Sequence, residues 1–122
     1  MSTVLVVDDC PIHCRMIGVL LIKAGIEVIQ AADGIEAQEQ IRAHCPDLVI
    51  MDVVMPRMNG YDLCRWVKNN LETKNVPIVM CSTKNEAFDH YWGMKQGIDA
   101  YIAKPFNPGE MVDTIQQLLR QK

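Results

Sequence analysis

No apolar stretch in this sequence is longer than a strand or a buried helix requires, and none approaches the roughly 20 residues that cross a bilayer. Met1-Ser2-Thr3 lacks the basic segment of a secretion signal and leads straight into a β-type run. The chain is therefore expected to be soluble and cytoplasmic, with no membrane attachment. It also lacks a CxxC pair or any regular cysteine spacing. Its five cysteines, Cys10, Cys14, Cys45, Cys64 and Cys81, are an odd number scattered over expected helices and strand ends, which fits reduced thiols rather than a disulfide framework. There is no run of like charge and no basic stripe. With a net charge of −3, the attraction that supplies most affinity for nucleic acid is missing, and nucleic acid is not an expected partner. No repeat, linker or low-complexity segment interrupts the chain, and 122 residues suit one domain with a substantial core. A single domain over residues 1–122 is expected.

What the sequence does have is alternation. Short β-type runs at Val4–Val7, Glu27–Ile29, Leu48–Met51, Ile78–Cys81 and Asp99–Ile102 are each followed by a segment of helical period. The helical segments carry apolar residues at spacings of three and four: Ile12, Met16, Val19 and Leu20; Ala37 and Ile41; Leu63, Val67 and Leu71; Phe88, Tyr91 and Trp92; Met111, Ile115, Leu118 and Leu119. Each set is expected to face the sheet. Gly25 and Gly97 stand where glycines stop the first and fourth helices, and Pro11 suits the first turn of the helix it opens. Asp33-Gly34 and Asn59-Gly60 mark turns before the second and third. Strict alternation predicts an α/β fold, a doubly wound five-stranded parallel sheet flanked by five helices. In such folds ligands bind beyond the carboxyl ends of the strands, near the switch in strand order.

Polar residues stand directly behind four of the apolar runs. Asp8-Asp9 follows Val4–Val7, Asp52 follows Leu48–Met51, Ser82 follows Ile78–Cys81, and Lys104 follows Tyr101–Ala103. Parallel strands would bring all of them to one sheet edge. Three carboxylates, a hydroxyl and an ammonium form a set suited to a divalent cation and a phosphoryl group. A carboxylate is also a competent nucleophile toward phosphorus.

The ordered motifs Val6-Val7-Asp8-Asp9, Met51-Asp52-Val53-Val54-Met55-Pro56 with Asn59-Gly60, Pro77-Ile78-Val79-Met80-Cys81-Ser82, and Gly97 through Lys104-Pro105-Phe106 resemble the receiver domain of bacterial two-component response regulators. The resemblance spans the whole chain. The stretch Tyr91–Tyr101 is most similar to receivers of chemotaxis-like systems that govern type IV pili, twitching or phototaxis.

Several properties are implied by that resemblance. The fold would be CheY-like and flavodoxin-like, with strand order 2-1-3-4-5. Asp52 would be the phosphoacceptor, taking its phosphoryl group from a histidine kinase. Mg²⁺ would be held by Asp9, Asp52 and the backbone carbonyl of Val54, with Asp8 acting through water. Lys104, aimed by a cis Lys104–Pro105 peptide, would neutralise charge on the transferring oxygens. Ser82 and Tyr101 would form the switch, reporting to an effector protein docked on the face of the fourth helix, fifth strand and fifth helix. The protein would be a stand-alone monomer or weak dimer, with phosphorylation chemistry of its own but no enzymatic output.

Three neighbours depart from the family pattern. Thr83 is β-branched where a small residue is usual, and Val54 and Lys84 also differ from the best-known chemotaxis member. An apolar Val54 cannot orient an attacking water. Cys10, His13 and Cys14 invite a zinc reading, but no fourth ligand stands at zinc-site spacing. Phe88, Tyr91, Trp92 and Trp66 could be core or partner anchors. Among rival functions, a phosphate shuttle or sink in a phosphorelay shares every motif. A phosphohydrolase of the haloacid dehalogenase type needs an acid two residues after its nucleophile, where this chain has Val54. A flavodoxin-like electron carrier needs a loop that cradles phosphate, and Asp8-Asp9 would repel one.

Overall fold

The computed structural model describes residues 2–83 and 97–121. Its elements run β1 (Thr3–Val7), α1 (Pro11–Lys23), β2 (Glu27–Ala31), α2 (Gly34–His44), β3 (Leu48–Met51), α3 (Gly60–Asn69), β4 (Ile78–Ser82), β5 (Ala100–Ala103) and α4 (Pro108–Arg120). Here α4 is the fifth helical segment of the sequence. The fourth segment, with Phe88, Tyr91, Trp92 and Lys84, lies outside the described residues. All strands are parallel and ordered β2-β1-β3-β4-β5, the expected doubly wound arrangement. The order reverses between β1 and β3, so the crevice beyond Val7 and Met51 lies at the switch point.

Side chains alternate across the sheet and divide the core in two. Leu5, Val7, Val49, Met51, Ile78 and Met80 pack with Ala37 and Ile41 of α2 and Leu63, Cys64 and Val67 of α3. Val4, Val6, Leu48, Ile50, Val79, Cys81 and Ile102 pack on the other face with Cys14, Ile17 and Leu21 of α1 and Met111 and Ile115 of α4. The strand runs were therefore legible from composition, with one shift at the edge. Asp99 stands just before β5, donating its N–H to Ile78 O (2.8 Å) and accepting the Ile78 N–H at its own carboxylate (2.8 Å).

Two expected helix faces are corrected. In α1, Ile12, Met16 and Val19 are exposed rather than buried, at 69, 49 and 45%. The sheet is covered instead by Cys14, Ile17, Gly18 and Leu21. This helix is apolar on both flanks, so period alone admits two faces. Leu71 is not on α3; it lies in the turn beyond Asn69 and is 83% exposed.

The punctuation of the described helices was read correctly and has a physical basis, while the helix that Gly97 was expected to stop lies outside the described residues. Gly25 and Gly97 adopt φ of +82° and +92°, the left-handed conformation that costs glycine least. Asp33 and Asn59 cap α2 and α3, their side chains accepting the N–H groups of Glu36 and Asp62 at 2.9 Å. Asn107 does the same for α4, accepting from Glu110 at 3.0 Å.

The loop from β3 to α3 is pinned at two places. Arg57, itself at φ +66°, reaches Asp33 Oδ2 with Nε at 2.8 Å and Nη2 at 2.7 Å. The Glu36 backbone N–H, followed by the Arg57 guanidinium, holds the Asp33 carboxyl below its usual value of 3.8 against the opposing effect of burial. The second pin is Gly60. A Cβ there would lie 2.2 Å from the Asp52 carbonyl oxygen, so the backbone of α3 touches the backbone of Asp52 only because residue 60 has no side chain.

Replacing Gly60 by Ala should therefore push the Asp52 backbone away and lower stability by roughly 1–3 kcal/mol, the usual range for overpacking, as read from urea unfolding. Wild-type stability within error would contradict the contact. Asp33→Asn keeps the cap but loses the charge facing Arg57. Since the folded pKa of Asp33 is depressed, its contribution is present above pH 3.8 and disappears as pH falls through the lower folded value. Urea curves for the two proteins should differ by at most about 1 kcal/mol at neutral pH and converge in acid. A gap that widens in acid would reverse the assignment.

Candidate functional site

The last hydrogen bonds of the sheet seat the polar residues behind the strands. Asp8 N–H donates to Ala31 O (3.1 Å), Asp52 N–H to Val7 O (3.0 Å) and Lys104 N–H to Ser82 O (2.9 Å). Each residue thus begins where the ladder ends, with its side chain free to turn into the crevice. Ser82 ends β4 and is buried at 1% exposure. The Lys104–Pro105 peptide is cis, as the resemblance implies.

Carboxylate oxygens of Asp8, Asp9 and Asp52 all lie within 4.8 Å of one another. Asp8 is buried and Asp9 exposed, with Asp52 between them. Among the described residues this is the single group of three or more acidic, histidine or cysteine side chains close enough to share an ion. Its donors are all hard oxygens, the set that suits a hard divalent cation and not zinc. An open cavity of about 310 Å³ adjoins the pair, lined by Asp8, Asp9, Arg15, Gln30 and Glu36 among others.

Lys104 holds this acidic edge together. Its Nζ donates to Asp8 Oδ2 at 2.6 Å and Asp52 Oδ2 at 3.2 Å, with side-chain exposures of 6, 3 and 14% for Lys104, Asp8 and Asp52. Burial alone would lower the Lys104 pKa, but the hydrogen bond to Asp8 and the charge of Asp52 more than offset it and raise the value. The other Asp8 oxygen accepts the Cys10 N–H at 2.9 Å. Asp52 Oδ1 receives a longer bond, 3.4 Å, from the N–H of Val54, whose residue is 60% exposed.

No cysteine thiol among the described residues joins the three carboxylates. The Cys14 thiol donates to the carbonyl of Asp8 at 3.3 Å, and burial, reinforced by the Asp8 charge, pushes its pKa up to about 11. Cys81, behind Ser82, is pushed up to about 12, mainly by burial. Both are protonated at neutral pH, unlike a metal-bound or nucleophilic thiolate.

His13 was weighed from sequence only as a zinc ligand. It lies instead with Nδ1 3.0 Å from Lys104 Nζ and 3.7 Å from Asp8 Oδ2. The available signal was positional, because a helix opened by Pro11 carries residue 13 on its first turn, beside the Asp8 loop. Tyr101 is half-buried and packs against the core cluster that includes Ile78 and Met80. Thr83 is exposed just past β4. Trp66 is half-buried with the Arg42 guanidinium 5.2 Å above its ring. No helix among the described residues is long and apolar enough to cross a membrane.

Comparison with known proteins agrees with this fold. The response regulator receiver domain family matches residues 4–116. Protein PilG of Pseudomonas aeruginosa is 38% identical over 93% of this chain and 84% of its own. Protein PilH of the same organism is 34% identical over 98% of each chain. The crystal structure of the chemotaxis response regulator CheY4 of Vibrio cholerae superposes with a TM-score of 0.91 at 35% identity, over 97% of this chain and 98% of that one. Receiver domains are signalling switches rather than enzymes, and they work between kinases and effectors. Matched by that family over residues 4–116 and sharing the fold of its solved relatives, this chain belongs to the response regulator receiver domain family.

Proposed function

We propose that this receiver accepts a phosphoryl group on Asp52 from a histidine kinase and signals through altered binding of an effector. The observation that carries the reading is the cluster of Asp8, Asp9 and Asp52 within 4.8 Å, with one ammonium spanning Asp8 and Asp52. Asp9, Asp52 and the backbone carbonyl of Val54 would hold Mg²⁺, with Asp8 reaching it through water, and the bound cation supplies positive charge for the phosphoryl oxygens.

The transfer follows from the side chains. A carboxylate oxygen of Asp52 attacks phosphorus in line, the P–N bond of the phosphohistidine breaks, and the electron pair leaves with the imidazole nitrogen. Lys104, already hydrogen-bonded to Asp52, neutralises charge that gathers on the transferring oxygens. Ser82, buried at the end of β4, donates its hydroxyl to a phosphoryl oxygen. Tyr101, on the neighbouring strand β5, then changes the effector-docking face formed with α4 and the segment before β5. Nothing in this exchange needs a dimer, and a monomer or weak dimer is the proposed state.

The task served is proposed to be motility control of the chemotaxis-like or type IV pilus kind. Similarity to PilG and PilH, to a chemotaxis response regulator, and the Tyr91–Tyr101 stretch support it. A phosphate shuttle or sink uses the same chemistry. A phosphohydrolase is disfavoured, because the position two residues past Asp52 is the apolar, exposed Val54.

Incubation with acetyl phosphate and Mg²⁺ should add the mass of one phosphoryl group to the wild type, and Asp52→Asn should abolish the gain. Modification that survives Asp52→Asn, or that ignores removal of Mg²⁺, would sink the reading.

A further inference from the structure

A buried ammonium has three hydrogens to place, and in water each would find an oxygen. Lys104 is only 6% exposed, so the protein must supply its acceptors. Three side-chain atoms lie within reach of it: Asp8 Oδ2 at 2.6 Å, His13 Nδ1 at 3.0 Å and Asp52 Oδ2 at 3.2 Å. Two of these are charged and belong to the acidic edge. The third is an imidazole nitrogen from α1, outside the polar strand-end residues that the fold brings together.

The choice of a neutral acceptor has electrostatic consequences. The edge already holds three carboxylates against one ammonium. A carboxylate at position 13 would add a fourth negative charge and compete with Asp52 for Lys104. An apolar residue would leave one ammonium hydrogen unpaired in a nearly dry place, a loss larger than the worth of an ordinary hydrogen bond. A neutral nitrogen satisfies the hydrogen without pulling the charge away from Asp52.

We propose that His13 is a positioning residue for Lys104: its Nδ1 accepts the third ammonium hydrogen and fixes the direction in which the other two point toward Asp8 and Asp52. The assignment requires the imidazole proton to sit on Nε2. That nitrogen lies on a side chain 38% exposed, so solvent can serve it. When phosphoryl oxygens replace the Asp52 carboxylate as acceptor, the bond to His13 keeps Lys104 anchored on the α1 side while its remaining hydrogens turn to the new group. Phosphoryl uptake is then faster than with an unanchored lysine. This second step rests on the reading of Asp52 as phosphoacceptor; the hydrogen bond itself does not.

Nitrogen-15 NMR of the unphosphorylated, Mg²⁺-free protein separates the two. Long-range proton–nitrogen correlations of the His13 ring should show a protonated Nε2 and an acceptor Nδ1, and the Lys104 Nζ resonance should be visible. His13→Leu should lose that resonance to solvent exchange, whereas His13→Asn, whose Oδ1 can take the place of Nδ1, should keep it. A proton on His13 Nδ1, or an unchanged Lys104 signal in His13→Leu, would overturn the proposal. With acetyl phosphate, His13→Leu should be phosphorylated roughly ten- to a hundred-fold more slowly and His13→Asn near the wild-type rate, the span expected for one lost hydrogen bond to a charged group. Equal rates for all three would overturn the positioning role. A wild type that takes no phosphoryl group defeats the phosphoacceptor reading instead and leaves the NMR result standing.

Discussion

Like charges brought close together in a partly buried site repel strongly, by about 4 kcal/mol for a pair 4 Å apart at an effective dielectric constant near 20. Asp8, Asp9 and Asp52 meet within 4.8 Å at one sheet edge, and the fold must offset that repulsion before any ligand arrives. Lys104 does so from the far edge strand, with an ammonium shared between Asp8 and Asp52. The pair is nearly dry, so it is strong only while complete. Removal of one partner from such a pair is expected to cost several kcal/mol.

Everything around that contact keeps it in place. The parallel ladder delivers Asp8, Asp52 and Lys104 at its final hydrogen bonds. The two-faced core fixes the register of β1, β3, β4 and β5 that aligns those ends. Gly60 lets α3 approach the Asp52 backbone, and Arg57 ties the intervening loop to the cap of α2. His13 completes the ammonium's shell from α1. On the proposed function this arrangement holds the charge balance of an empty acceptor, and a cation together with a phosphoryl group would redistribute it.

Much of this was legible in the chain because parallel strands buried on both faces read as short apolar runs, and their polar stops cannot be buried with them. Asp8, Asp9, Asp52 and Lys104, which the structure brings together, were picked out that way, as was the place of Ser82 at the end of β4. The face of α1 was not, because Ile12, Met16 and Val19 repeat with the same period as Cys14, Ile17 and Leu21, and only the sheet decides between them. The place of His13 on the first turn of α1 set it beside the Asp8 loop, but the contact with Lys104, 91 residues away along the chain, had no mark in the sequence. Asn59-Gly60 read as a turn, but the reason for its glycine is a contact with Asp52 that sequence spacing does not express.

Titration with Mg²⁺ of the wild type and of Lys104→Met, followed by thermal unfolding, tests most directly whether the lysine carries charge that a cation would otherwise supply. Without the competing ammonium, Lys104→Met should be less stable in chelator, bind Mg²⁺ at lower concentration, and gain more stability from it than the wild type. Equal or weaker Mg²⁺ stabilisation of Lys104→Met would contradict the view that Lys104 balances the acidic edge.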